Sequence, residues 1–433
     1  MKKSVWGKSL LGAAAVLLGL TLAACGNSNA SSKNSTSDKK VTITFWHGMN
    51  GPYKTALDGI IKDFNNSQSK YVVKGTAQGN YTALQQKIMA GAKSKSLPTM
   101  AQTTYTTVPD YVSNGFITPL DPYMLKGSDK LSQSSLKDIY PAFISSSKYQ
   151  GKYYSMPFSK STRIMYYQPA LMKKLGVNKV PTSWEELQTL GQTLKSKGVA
   201  VVGFDASFDM ELEALARQNG NALVSKDLTA NLNSKKTLQV TNMIFNMLQD
   251  GEAKTAGEDI YGDKNFTSGK TLFYIGSSAG VSSMQQNAPK GFEWNTTTVP
   301  SYKGKKATEL AGNDLVMFKS ASADQQKGAW AFMKFLTSKK ETIKWAEKTG
   351  YVPLRKSAVK DASFQSYLKN HEVNKAAVDS LDSGFQSTAF KGFTEYRNDL
   401  LDAVDSMTTK HTKPADAMGT LQKKTETILK DAK

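Results

Sequence analysis

Apolar and polar residues alternate along Val41-Thr-Ile-Thr-Phe-Trp46, the period of two that marks a strand. Gly48-Met-Asn-Gly-Pro52 interrupts it, and Pro52 suits the first position of a helix. Leu57, Ile60, Ile61 and Phe64 then recur at helical spacing, so one face of that helix is buried. Residues 71–79 read as the next strand and 81–92 as the next helix. Residues 99–104 form a short strand, followed by a helix carrying Val108, Tyr111 and Val112. Strands and helices in alternation predict an α/β domain with a largely parallel sheet.

Further along, 152–157 and 162–167 are expected as two strands on either side of Phe158-Ser-Lys-Ser161. Ser183 and Glu186 stand at capping-box spacing where a helix begins. Residues 201–205 read as a strand, and 212–218 and 238–248 as helices. The apolar strand 271–276 stops at Gly276-Ser-Ser-Ala-Gly280, where a helix is expected to open. Strands at 296–299 and 315–318 precede a helix with Trp330, Met333 and Leu336 on one stripe. Tyr351-Val-Pro-Leu-Arg355 is an extended connector, and the remainder to Lys433 is mostly helical.

The N-terminus follows another logic. Lys2, Lys3 and Lys8 precede an apolar run, 10–22, that is too short for the roughly 20 residues a bilayer span needs. This is an export signal, expected to be removed from the mature protein. It ends in Leu22-Ala-Ala-Cys25-Gly26, which resembles the lipobox of bacterial lipoproteins, and Cys25 is the only cysteine in the chain. That resemblance implies lipidation of Cys25 after removal of residues 1–24. Residues 25–40 then serve as a Ser/Asn/Lys-rich tether, too polar to bury a core.

Among 433 residues, a hydrophobic share of 39% supplies sizeable cores, which excludes a chain disordered over most of its length. One cysteine excludes a disulfide framework and a cysteine zinc site. The net charge is +20, yet only Arg163, Arg217, Arg355 and Arg397 of the 56 basic residues are arginine. Nucleic-acid readers lean on arginine forks, so lysine on this scale points instead to solubility near an anionic cell envelope. No Gly-x-Ser-x-Gly elbow, His-Glu-x-x-His or cysteine nucleophile is present. An envelope glycoside hydrolase using paired carboxylates and a wall-polymer binder remain the alternatives to a capture protein without chemistry of its own.

Several segments agree in order with one family. Ile43-Thr-Phe-Trp-His47 opens the folded chain, followed by Asp63-Phe-Asn-Asn66, Gly79-Asn-Tyr81, Ile164-Met-Tyr-Tyr-Gln168, Ala329-Trp-Ala-Phe-Met-Lys-Phe335 and Lys348-Thr-Gly-Tyr-Val-Pro353. The chain resembles the extracellular solute-binding proteins of ABC importers of the carbohydrate-uptake type, over about 41–410. Within them it is most similar to the glycerol-3-phosphate-binding branch, through Trp46-His47, Gly79-Asn-Tyr81, Pro157-Phe158 with Ser161-Thr162, and Gly350-Tyr351. The resemblance implies an α/β, two-lobed periplasmic-binding-protein-like fold of the maltose-binding class, with a hinge and a ligand cleft between lobes. Lobe one is expected at 41–160 with 306–354, and lobe two at 161–305 with 355–433. The implied partners are a small ligand (glycerol-3-phosphate, a glycerophosphodiester or an oligosaccharide), the transmembrane permease subunits, and the membrane through the lipid anchor. A monomer is expected, with no nucleic acid, metal or cofactor.

The same resemblance implies site residues. Tyr81, Ser161, Gly312 and Tyr351 match ligand-contacting positions, and Arg397 falls where the branch grips phosphate. Gly276-Ser277-Ser278 offers hydroxyls and backbone donors for an anion. Trp46 and His47 end the first strand, where ligands or core packing are both compatible. Two positions depart from the branch: Tyr105 replaces a carboxylate that binds the glycerol hydroxyls, and Phe208 replaces a tryptophan. Both stand as candidate ligand-binding residues; the lost carboxylate, with the added acid of Asp209-Met-Glu211 where a second tryptophan falls, argues against glycerol-3-phosphate itself.

Overall fold

The computed structural model describes residues 40–433; the export signal, Cys25 and nearly all of the tether lie outside the described residues. The strands are β1 Val41–His47, β2 Tyr71–Ala77, β3 Met100–Thr103, β4 Lys148–Tyr149, β5 Lys152–Tyr153, β6 Met156–Tyr167, β7 Ala200–Gly203, β8 Ala253–Lys254, β9 Thr271–Ser277, β10 Asn295–Thr298, β11 Thr308–Met317 and β12 Gly384–Phe385. Ten of them form one sheet in the order β2-β1-β3-β11-β6-β9-β7-β8, with β10 on β6 and β12 on β11; β4 and β5 pair separately. The two ends of this sheet are parallel, β2-β1-β3 at one and β9-β7-β8 at the other. The antiparallel strands β11 and β6 join them. This is the α/β two-lobed fold, with long shared strands between the lobes.

Two large apolar cores fill the described residues. The first gathers Ile43, Phe45, Leu57, Ile60, Phe64, Leu315, Trp330, Met333 and Trp345. The helix Gly51–Ser67 starts at Pro52 and buries the four residues its spacing selects, with Phe64 5.0 Å from Phe332 between ring centroids. The second core gathers Leu187, Val202, Phe204, Leu212, Ile244 and Phe273 with Tyr396, Val404, Leu421 and Leu429 from the C-terminal helices. Residues from 355 onward, expected with the second lobe, contribute to both cores. Ala376, Ala377 and Leu381 pack into the first core, and Phe364 and Leu368 pack on Ala346 beside it. The chain reaches the second core again only at Phe390.

The long strand β6 corrects the expectation of two strands separated by Phe158–Ser161. Its first half pairs with β11, from Met156 opposite Leu315 to Thr162 opposite Leu310. Its second half pairs with β9 and β10. Lys160 lies inside this strand, where an isolated ammonium would not be tolerated. It is accommodated because Lys160 Nζ donates to Asp314 Oδ1 on β11 at 2.5 Å, both side chains being fully buried. The other oxygen, Asp314 Oδ2, accepts from Ser155 Oγ at 2.5 Å and Ser147 Oγ at 3.3 Å. The register shifts between Asn313 and Asp314, a bulge that lets both residues meet their own partners.

Removing one partner of such a pair strands the other charge. Lys160→Met is expected to lower unfolding free energy by about 3–5 kcal/mol in urea titrations. Combining it with Asp314→Leu is expected to recover a large part of that loss, since no buried charge is then left alone.

Candidate functional site

Strand alternation puts Ser159, Ser161 and Arg163 on one face of β6, and Glu309, Ala311 and Asn313 on the same face of β11. Ser159 stands opposite Asn313, and Ser161 opposite Ala311. Between them Gly312 has φ +105°, and a Cβ there would sit 1.9 Å from the Ser159 carbonyl oxygen. Only glycine allows the two strands to approach this closely. Ser159 Oγ and Asn313 Oδ1 are buried with no partner among the described residues. Buried polar atoms are ordinarily paired, so these two are candidates for bonding to another molecule.

A group of tyrosines stands beside them. Asn80 caps the helix Tyr81–Ser94 by accepting from the Ala83 amide at 2.9 Å, which fixes Tyr81 at its first turn. The Tyr81 hydroxyl accepts from Asn313 Nδ2 at 2.6 Å and lies 3.3 Å from the Tyr351 hydroxyl. Tyr351 follows Gly350, whose φ of +77° ends the helix Lys339–Thr349, and its ring stacks on Trp345 at 5.8 Å. Tyr53 meets Tyr351 edge-on at 6.0 Å and donates to the Ala279 carbonyl at 2.6 Å. Burial raises the pKa of Tyr53 to about 12 and lifts those of Tyr81 and Tyr351 above the ordinary phenol value, so all three remain neutral donors at physiological pH.

The opposite side is ionic. Arg163 Nε donates to Glu211 Oε1 at 2.7 Å, Nη1 to Asp205 Oδ2 at 3.0 Å and Nη2 to the Ile275 carbonyl at 3.1 Å. Asp205 Oδ1 accepts from the Tyr274 hydroxyl at 2.5 Å, and Glu211 Oε2 is buried without a partner among the described residues. Glu309 accepts from Ser387 Oγ at 3.1 Å; the Ser387 amide donates to the Tyr105 hydroxyl at 3.0 Å. Burial, reinforced by Glu213 and Asp209, pushes the Glu309 carboxyl up to about 8. Arg397 Nη2 donates to Asp209 Oδ2 at 3.0 Å, and Arg217 Nε to Glu213 Oε1 at 2.7 Å.

The residues singled out by sequence separate into two groups. Tyr81, Tyr351, Gly312 and Ser161 meet around the shared strands, with Tyr105 linked to Glu309 through Ser387. The others are accounted for by packing or pairing. Trp46 lies against the helix at Gly91, 3.6 Å from where a Cβ would stand, within the cluster of Leu84 and Ile88. His47 is fully buried, accepts from the Met49 amide at 3.3 Å, and has its pKa lowered to about 4 by burial. Phe208 is fully buried beside Phe204 because the helix Asp209–Gln218 begins there and turns the ring into the second core. The helix after β9 starts at Gly280, later than expected. Ser277 Oγ accepts from the Ala279 amide, and Ser278 Oγ from the Thr162 amide at 3.2 Å, so Ser278 fastens β9 to β6. Arg397 has part of its fork committed to Asp209. Sequence reasoning did not assign Asn313, Glu309, Arg163 or Asp205 to the site. Arg163 carried a usable signal, a scarce arginine inside an apolar strand.

Glu309 gives the site a pH signature. Its folded pKa lies above the ordinary 4.5, so its ionisation opposes folding. Its contribution is fully present below about 4.5 and is lost as pH rises through about 8. Glu309→Gln is expected to unfold like the parent at pH 4. At pH 9 it should be more stable by on the order of one to a few kcal/mol, measured by denaturant titration.

Residues 59–372 match the family model described as bacterial extracellular solute-binding protein. The sn-glycerol-3-phosphate-binding periplasmic protein UgpB of Brucella melitensis is 26% identical over 350 residues, covering 78% of this chain and 80% of that protein. Its namesake in Escherichia coli K12 is 24% identical over 361 residues, covering 80% and 79%. Two solved structures match the fold. UgpB from Mycobacterium tuberculosis, in complex with glycerophosphocholine, has TM-score 0.79 and 21% identity over 91% of this chain and 99% of its own. The cyclic alpha-maltosyl-1,6-maltose binding protein of Arthrobacter globiformis has TM-score 0.79 and 20% identity over 91% and 100%. With most of its length matched by the family model and its cleft framed by two shared strands, the chain belongs to the bacterial extracellular solute-binding proteins.

Proposed function

We propose that this protein captures a polyhydroxylated solute outside the cell for an ABC importer: a sugar, glycerol-3-phosphate or a related glycerophosphodiester. One observation carries the reading. Buried, unpartnered Ser159 Oγ and Asn313 Oδ1 lie side by side on the strands that join the lobes, next to the hydroxyls of Tyr81 and Tyr351. A solute hydroxyl bonded there touches the joint itself, so its binding energy favours one arrangement of the lobes over another. The closed, loaded form is then what the permease recognises, and the solute is released unchanged.

The names of the relatives support this solute class. Lipidation at Cys25 would hold the protein, as a monomer, at the extracytoplasmic face of the membrane. The lobes are proposed as 41–160 with 306–354, and 161–305 with 355–433.

Calorimetric titration of the full chain tests the reading. Asn313→Ala and Tyr351→Ala are each expected to weaken the best ligand by at least about tenfold, or ~1.4 kcal/mol, with circular dichroism unchanged. Scattering should show a smaller radius of gyration on loading. Unaltered affinity in both variants would place the ligand elsewhere.

A further inference from the structure

The helix Phe393–Thr409 begins at Gly392, whose φ of +86° is one that residues with side chains rarely adopt. A Cβ there would lie 2.6 Å from Ile428 Cγ2 on the helix Pro414–Ala432, so a serine, aspartate or asparagine cap has no room. The helix has no side-chain cap of its own at that residue, although the first amides of a helix lack partners within it. It takes one from elsewhere in the chain. Asp110 lies 282 residues earlier, on the helix Val108–Ser113. Its Oδ1 accepts from the Gly392 amide at 2.7 Å and its Oδ2 from Thr394 Oγ1 at 3.5 Å. A carboxylate also suits the positive end of the helix dipole. Gln85 Nε2, on the helix Tyr81–Ser94, donates to the same Thr394 hydroxyl at 3.1 Å.

The two sides of this contact are packed separately. Leu84, Ile88, Val108 and Tyr111 hold the helices of Gln85 and Asp110 in one apolar cluster. Phe393, Tyr396 and Leu400 hold the capped helix in another. Hydrogen bonds join the two, and such bonds exchange with water at small net cost. Burial pushes the Asp110 carboxyl up, and the Gly392 amide, Thr394 and Lys391 offset part of that. The contact is therefore one that two bodies can leave as well as make. Its place matters too. Gln85 lies one turn beyond Tyr81 on its helix, and Thr394 one turn before Arg397 on its own. The contact thus forms beside the site and uses none of the groups assigned to it.

Resting on the solute-binding reading, we infer that Asp110 is a positioning residue, a latch that joins the proposed lobes by capping a helix of one from the other. It favours the joined arrangement before any solute arrives. It tightens the hold on whatever solute binds, because apparent affinity scales with the fraction of molecules in the binding-competent arrangement.

The test begins without ligand, on the full chain. By small-angle scattering, Asp110→Ala is expected to have a larger radius of gyration than the parent, with circular dichroism unchanged. Amide exchange should quicken about tenfold or more at 392–396 and also at Ser387, whose amide donates to the Tyr105 hydroxyl at 3.0 Å away from the cap. Asp110→Asn keeps an acceptor for the Gly392 amide and should recover most of both changes. Gln85→Ala should move both in the direction of Asp110→Ala, by less. Parent and Asp110→Ala are then titrated with glycerol-3-phosphate, glycerophosphocholine and maltotriose. The probe that the parent binds best should bind the variant about three- to tenfold more weakly. Faster exchange at 392–396 alone, with the radius and Ser387 unmoved, makes Asp110 a local helix cap and overturns the latch. So does lost affinity with every ligand-free readout unchanged, since Asp110 would then be a ligand contact. Should Asp110→Ala fail to fold, Gln85→Ala decides by the same readouts. A parent that binds none of the probes counts against the proposed solute class and leaves the latch to its ligand-free readouts.

Discussion

An ammonium group with no access to water tolerates few neighbours, and Lys160 has found one of them in Asp314. The pair fixes more than itself. Lys160 sits opposite Gly312 on the partner strand, and its carbonyl accepts from the Val352 amide at 2.7 Å on a further segment. Three stretches of chain therefore meet around one buried cation. Sliding β6 against β11 by one residue would separate the charges and turn every side chain to the wrong face. The ion pair thus sets the register on which the positions of Ser159, Ser161 and Asn313 depend. Its worth lies in that specificity, since a buried pair contributes little net stability compared with apolar packing.

The charge distribution divides along the same lines. The chain is strongly basic, but lysine supplies nearly all of that charge, much of it at the surface. All four arginines pair with carboxylates: Arg163 and Arg355 are buried and bonded through two or more nitrogens, while Arg217 and Arg397 each use one. Lysine, flexible and well hydrated, suits the outside; the planar guanidinium suits places where direction matters. The buried charges are thus largely paired within a basic protein, and net charge is no guide to what the site holds.

Much of the fold could be read from the chain because its lobes are built from ordinary α/β alternation. The buried positions of the helix Gly51–Ser67, the strand β1 and the stripe of Trp330, Met333 and Leu336 follow directly from periodicity. What escaped depends on contacts distant in sequence. The continuity of β6 rests on Asp314, 154 residues away, and the packing of 364–381 depends on which core lies nearer. In the site, Tyr81 and Tyr351 were visible as short motifs, whereas Asn313 became meaningful only when its neighbour's register was known. His47 and Phe208 are fully buried and Trp46 half-buried, because strand parity and a helix start decide direction and neither was fixed by the motif.

The first core has a consequence for how the protein comes into being. It includes Ile43 near the start of the folded region and Leu381 near its end. A ribosome must therefore deliver nearly the whole polypeptide before that core can close, and contacts of such sequence separation form slowly. In a family of extracellular proteins this delay is useful, since a core that closes late leaves the chain threadable for longer.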